Sequence, residues 1–264
     1  MMLHPTRHRR ISSRALGASL TSLALLAAIV LLFRPRRVRK DETLFASSTI
    51  ISENDLEPGD ILLYRSLNQK PHQRAISLAT GSPYTHASIY LGEGLIAEAT
   101  VAAGVRIVSL STQLCGDYCV GVLRSQMGFG TIRSGELIRF VQSLVSAGAR
   151  YDLMSAVAFR YKKQKHLHDQ LDLLKKNFGD FIHEEELIKD SYFCSALVVA
   201  CYYVVGIIHQ SAQIVYPHKL ISPADLHRDP TFGWFLGYLL PPGAKIPAGD
   251  PLEHITSWAD INRA

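Results

Sequence analysis

The sequence predicts an α+β domain, and two stretches carry that prediction. His86-Ala87-Ser88-Ile89-Tyr90-Leu91 alternates between two faces, and Leu95-Ile96-Ala97-Glu98-Ala99 follows it after Gly92-Glu93-Gly94. The pair reads as a β-hairpin with a glycine-containing turn. Cys194 to Val205 is an almost unbroken apolar run ending at Gly206, long enough for a buried helix with a glycine at its end. Strands early and a buried helix late segregate the two kinds of element, which is the α+β pattern. The chain has 264 residues, room for one core of ordinary size but not two once the N-terminal segment is set aside.

That segment comes first. Residues 1–14 are a basic tail, and Ala15 to Phe33 runs 19 residues without a charge. As a helix it would rise about 28 Å, enough for the hydrocarbon core of a bilayer. Arg34-Pro35-Arg36-Arg37 follows it, where a cleaved signal peptide would carry small residues. The expectation is therefore an uncleaved single-pass anchor with a short basic linker over 34–50. Four Arg precede the segment, and four Arg and one Lys follow it. Near-equal flanks leave topology open under the positive-inside rule; the expectation leans towards an extracytoplasmic domain.

The net charge of +5 is a property of this region. Of the 28 Lys and Arg, nine lie in residues 1–40 with no acid among them, leaving 19 against 23 acidic groups. The remainder is mildly acidic, and nucleic-acid binding is not expected.

Residues 51–264 form the expected domain. Leu56-Glu57-Pro58-Gly59-Asp60 is a turn feeding the apolar strand Ile61-Leu62-Leu63-Tyr64. A brief helix over Arg74 to Ala79 ends at Gly81-Ser82-Pro83, and the hairpin follows. Val105 to Leu110 and Cys119 to Arg124 read as further strands. Ser134 to Ala147 has helical spacing with Ser134 as its cap. About 160–190 reads as a charged, amphipathic helical insertion around Leu171, Leu173, Leu174, Phe178 and Phe181. Its His166, His168 and His183 lack neighbours at ligand spacing and read as solvated. Four cysteines (Cys115, Cys119, Cys194, Cys201) are too few for a disulfide-built fold. Cys115 and Cys119 have no second ligand pair for zinc, which leaves a local disulfide or two buried thiols.

Two places could carry chemistry. On the hairpin, His86, Ser88 and Tyr90 share one face, and Ile96, Glu98 and Thr100 share a face of the return strand. A register pairing 88 or 86 with 98 makes the imidazole and carboxylate neighbours, and a one-residue slip separates them. A carboxylate accepting from one ring nitrogen fixes the tautomer and raises the basicity of the other. Such a pair is also a common structural hydrogen bond. The second place is Asp190-Ser191-Tyr192-Phe193-Cys194-Ser195. With Asp190 or Ser191 as cap, Cys194 enters the first helical turn, where free N–H groups and the dipole favour thiolate and can hold an oxyanion. The plainer role is a small buried hydrophobe, the one expected of Cys201.

In this order the two places resemble the permuted branch of the NlpC-type papain-like amidases, the group represented by YiiX and YaeF. There the His-bearing strands precede the Cys-bearing helix. The resemblance covers roughly residues 56–235. It rests on Pro58-Gly59-Asp60-Ile61-Leu62, Thr85-His86-Ala87-Ser88-Ile89-Tyr90, Ala97-Glu98-Ala99, Arg150-Tyr151-Asp152, Phe193-Cys194-Ser195-Ala196-Leu197-Val198 and Ser222-Pro223-Ala224-Asp225-Leu226. It implies a circularly permuted papain-like domain with Cys194 as nucleophile, His86 as general base and Glu98 as the group orienting the histidine. It implies Tyr151 as a helper at the oxyanion, with core packing as the alternative. Asp60 and Asp225 match positions that look structural. The 160–190 insertion departs from the family pattern and could form a lid or specificity wall.

The expected function is a membrane-anchored thiol hydrolase cleaving a peptide-type amide, cell-wall peptides among them, without metal or organic cofactor. An acyltransferase or lipid hydrolase using the same Cys-His pair, and a non-catalytic binding module on the same fold, are the alternatives. The expected partners are a peptide or lipid amide or ester and, through residues 15–33, the membrane.

Overall fold

The computed structural model describes residues 50–114, 117–177, 180 and 182–254. The expected membrane segment 15–33, nearly all of its linker, Cys115, Phe178 and Phe181 lie outside these residues. Among the described residues no helix is long and apolar enough to cross a membrane.

The architecture is α+β around one antiparallel six-stranded sheet. Its strands are β1 (Ile61–Ser66), β2 (Tyr84–Gly92), β3 (Leu95–Thr100), β4 (Gly104–Ser109), β5 (Tyr118–Arg124) and β6 (Trp234–Leu239), in the spatial order β4-β3-β2-β1-β5-β6. The helices are α1 (Pro71–Thr80), α2 (Leu110–Leu114), α3 (Gly130–Ser146), α4 (Leu153–Lys176), α5 (Glu184–Ile188), α6 (Cys194–Val204) and α7 (Pro223–Leu226).

Strand alternation splits the apolar residues between the two faces of the sheet. Ile61, Leu63, Ala87, Ile89 and Ala97 join α3 and α6 in the main core. Leu62, Tyr64, Tyr90, Ile96 and Val122 form a smaller cluster on the opposite face. Helix α6 packs against β2 and β3, and Cys194 through Tyr203 are all buried. A helix apolar on every side has no solvent face to offer, so it sits inside the domain.

One irregularity in the sheet matters for the site. Tyr64 pairs with His86, but the next residue of β1, Arg65, pairs with Tyr84. Thr85 is thus the extra residue of a β-bulge, and beyond it the alternation of β2 changes parity. Tyr84 and Ala87 therefore both face the main core although they are three residues apart.

Several expectations are corrected. Helix α1 begins at Pro71 rather than Arg74, since proline's fixed φ suits the first helical position. Ser134 does not cap α3; it lies inside the helix, donating from Oγ to the Gly130 carbonyl at 2.5 Å. Helix α4 starts at Leu153, directly after Tyr151, capped by Asp152 Oδ1 accepting from the Ser155 N–H at 2.8 Å. His166 is not solvated: its Nε2 bonds the Ile214 carbonyl oxygen at 2.7 Å. Ile50, assigned to the linker, already bridges Tyr238. Strand β6 was not anticipated. Cys119 is a buried free thiol.

Gly104 opens β4 with φ +68, and a Cβ there would lie 2.3 Å from the Ala149 carbonyl oxygen. Gly104→Ala is expected to lower unfolding free energy by about 1–3 kcal/mol through left-handed strain and this clash. Gly135, exposed inside α3 with nothing near its missing Cβ, is the control. Gly135→Ala should raise stability by about 0.5–1 kcal/mol. Denaturant midpoints of the two variants check both signs.

Candidate active site

The hairpin register decides where Glu98 points. Ile89 pairs with Ala97 and Tyr90 with Ile96; carried one residue further, this sets Ser88 opposite Glu98 and His86 on the diagonal. Glu98 thereby falls on the His86 side of the sheet, and His86 Nε2 donates to Glu98 Oε2 at 2.8 Å. Of the two registers that would have joined the pair, the one matching 88 with 98 is adopted.

Glu98 is 1% exposed, and a carboxylate so deeply placed needs full compensation. Strand β4 supplies it. Arg106 sits directly across from Glu98 in the β3–β4 ladder and donates from Nε and Nη2 to Oε1 at 2.9 and 2.6 Å. Gln113 Nε2, from α2, adds a third donor to the same oxygen at 3.1 Å. Burial works against the charge of Glu98. The hydrogen bond and charge of His86, with help from Arg106, outweigh it and hold the carboxyl below its usual range. Arg106 and Gln113 were missed from the sequence. The tight connection from Thr100 to Gly104 was the available signal for Arg106, because it fixes the pairing of 98 with 106.

His86 is steadied from the other side as well. Its ring lies 5.2 Å from that of Tyr64, whose hydroxyl is hydrogen-bonded to Ser88 Oγ at 2.8 Å. Nε2 is occupied by Glu98, which leaves Nδ1 for the thiol of Cys194, the hydrogen-bond partner of His86. Burial disfavours a charged imidazole here, but the bonds to Cys194 and Glu98 prevail and push the His86 pKa up to about 9.

Cys194 is the first residue of α6 and is 6% exposed. Burial alone would raise its pKa. The His86 hydrogen bond and charge, together with the backbone N–H groups of Ala87 and Ser195, bring it down instead. Free N–H groups at a helix start favour the anion in the same sense. The other described cysteines go the opposite way: burial pushes Cys119 up to about 12 and raises Cys201 further. Cys194 and His86 thus favour a thiolate–imidazolium pair, the state in which a cysteine is nucleophilic.

The cap of α6 corrects another expectation. The residue at the N-cap is Phe193, with no side-chain cap, so neither Asp190 nor Ser191 fills that role. Asp190 instead accepts from the Ser191 N–H at 2.8 Å and from His218 Nε2 at 2.9 Å, and also holds Lys219. Asp60 and Asp225 are structural, as expected: Asp60 accepts from the Glu57 N–H and from Arg124, and Asp225 closes a capping box with Ser222.

Tyr151 is drawn to the same place by backbone pairing. It bridges Tyr192, whose N–H donates to the Arg150 carbonyl at 2.9 Å and whose carbonyl accepts from the Asp152 N–H at 3.1 Å. The thiolate of Cys194 adds to burial in raising the Tyr151 pKa, so the phenol stays neutral and able to donate. Cys194, His86, Glu98 and Tyr151 all line one recess. Among the described residues no group of three or more His, Cys, Asp or Glu is arranged to hold a metal ion.

No family model matches the sequence, and no curated protein matches it.

Alkylation of the chain's thiols at pH 7, mapped by mass spectrometry, should label Cys194 at least about a hundredfold faster than Cys119 or Cys201, whose thiols stay protonated there. His86 keeps its proton up to about pH 9, so the ion pair persists through neutral pH and is lost as pH rises through that value. Glu98→Gln removes one of the charges holding the proton, and the imidazole resonances should then titrate at lower pH than in the wild type.

Proposed function

We propose that this chain is a thiol hydrolase of the circularly permuted papain-like, NlpC-type kind, anchored to a membrane through residues 15–33. The observation carrying the reading is the chain of contacts from buried Glu98 through His86 to Cys194 at the start of α6. Six short motifs in the family's order add to it, as does the depressed pKa of Cys194 beside two raised ones.

The chemistry follows from the protonation states. The Cys194 thiolate attacks an amide or ester carbonyl, and the C–S bond forms as the oxygen takes up the negative charge. The Ser195 N–H, which already points at the sulfur, and the neutral Tyr151 hydroxyl are the donors placed to stabilise that oxygen. His86, charged before the attack, gives its proton to the departing nitrogen or oxygen as that bond breaks. The neutral imidazole then takes a proton from water, whose oxygen displaces the thiolate and releases the acid. Glu98 stays ionised throughout and holds the ring. A binding module has no use for a thiol ionised in this way.

Peptide-type amides are the first substrates to test. Cys194→Ala should abolish turnover. His86→Ala should lower kcat by about 10²–10⁴-fold. Tyr151→Phe should lower kcat by about 10²-fold with little change in KM if its hydroxyl meets the oxyanion. The wild-type pH–rate profile should be bell-shaped, falling at high pH as His86 loses its proton near pH 9 and at low pH as the thiolate is quenched. Hydrolysis that survives Cys194→Ala would sink the proposal.

A further inference from the structure

Two recesses meet at Cys194, one mainly apolar and the other richer in polar groups. One, of about 320 Å³, is walled by Ile76 and Ala79 of α1, Ala156 and Phe159 of α4, and Phe193 and Pro223. The other, of about 260 Å³, is lined by His72, His86, Glu98, Thr100, Arg106 and Gln113. Ile76, Thr85, Tyr151 and Cys194 belong to both.

The position of the acid assigns the two halves of a substrate. The leaving group has to sit where His86 can protonate it, and His86 lines the polar recess, not the apolar one. The leaving group therefore occupies the polar recess, which puts the acyl group on the other side of the sulfur, between α1 and α4. Buried polar atoms are normally hydrogen-bonded. Among the described residues two buried side-chain oxygens have no partner, Thr85 Oγ1 and Thr100 Oγ1. Thr100 lines only the polar recess, and Thr85, only 6% exposed, lies where the two recesses meet.

We infer that the substrate of Cys194 is an amide or ester joining one apolar acyl chain to a polar, hydrogen-bonding leaving group. The inference rests on the thiol-hydrolase reading and narrows its substrate from amides and esters in general to acylated polar compounds. At about 30 Å³ for a water-sized group, the apolar recess holds roughly ten methylene-sized groups.

The experiment is the Cys194-dependent hydrolysis of p-nitrophenyl acetate, butyrate, hexanoate and octanoate by the full chain, with Cys194→Ala as the blank. The expected result is a rise in kcat/KM of roughly two- to fourfold per added methylene. Ala79→Trp and Ala75→Trp each fill the recess from an exposed position on α1. In either one the octanoate-to-acetate ratio, taken within the variant, should fall towards one. N-octanoyl ethanolamine should also be cleaved several-fold faster than N-octanoyl propylamine, its isostere with a methyl for the hydroxyl. A Cys194-dependent rate that is flat or falls with chain length overturns the acyl assignment while leaving the thiol hydrolase standing. A preference for the propylamide overturns the polar half. Loss of all Cys194 dependence takes both readings down.

Discussion

Glu98 places a carboxylate inside the protein, beside the strand that carries His86. An ion without partners at such depth is destabilising by several kcal/mol, and the local structure is organised around preventing that. The tight β3–β4 connection sets Arg106 opposite it, α2 brings Gln113, and the β2–β3 register brings His86. Each of these contacts fixes something besides charge. Arg106 spans two bonds to one oxygen, which leaves the other oxygen for the imidazole. The histidine is thereby held in one orientation with its second nitrogen directed away from the carboxylate, and every later feature of the site depends on that.

The second constraint is the burial of α6. Its apolar sequence draws the whole helix into the core against β2 and β3, and its first residue is carried to the level of His86. Two unfavourable desolvations meet there, of a thiolate and of an imidazolium. Each is offset by the other's charge, and the backbone N–H groups of Ala87 and Ser195 favour the anion further. The comparison with Cys201, seven residues along the same helix, isolates the cause. It has the burial but not the histidine or the helix start, and its pKa moves up.

Helix α4, which begins ahead of the expected 160–190 insertion and runs into it, belongs to the site as well as to the surface. Helix α4 follows Tyr151 without a break, and its first turns, at Ala156 and Phe159, form one wall of the apolar recess. The same helix donates from Lys163 to Asp225 at 2.6 Å, which ties it to α7 on the far side of that recess. The wall of the proposed acyl side is thus built by the first turns of this helix, at residues that precede the 160–190 stretch.

The sequence by itself determined the α+β class, the hairpin and the buried helix beginning at Cys194, and it named His86 and Glu98 as a pair conditional on the hairpin register. These follow from local rules: strand period, glycine turns and an apolar run flanked by polar residues. It left open which hairpin register forms, and it missed Arg106, Gln113 and β6. It also misplaced the caps at Ser134, Asp190 and Ser191, because a polar residue near a helix start is a weak signal once tertiary partners compete for it. Asp190 shows this directly, being taken by His218 and Lys219 instead. Only the tertiary structure decided that Thr85 bulges, that Tyr151 is pinned beside Tyr192, and that an apolar and a polar recess meet at one sulfur. Those features join residues far apart in the chain, such as Thr85, Tyr151 and Cys194, which are separated by 43 to 109 positions. Packing of α6 on the sheet brings them together, and no local pattern encodes it.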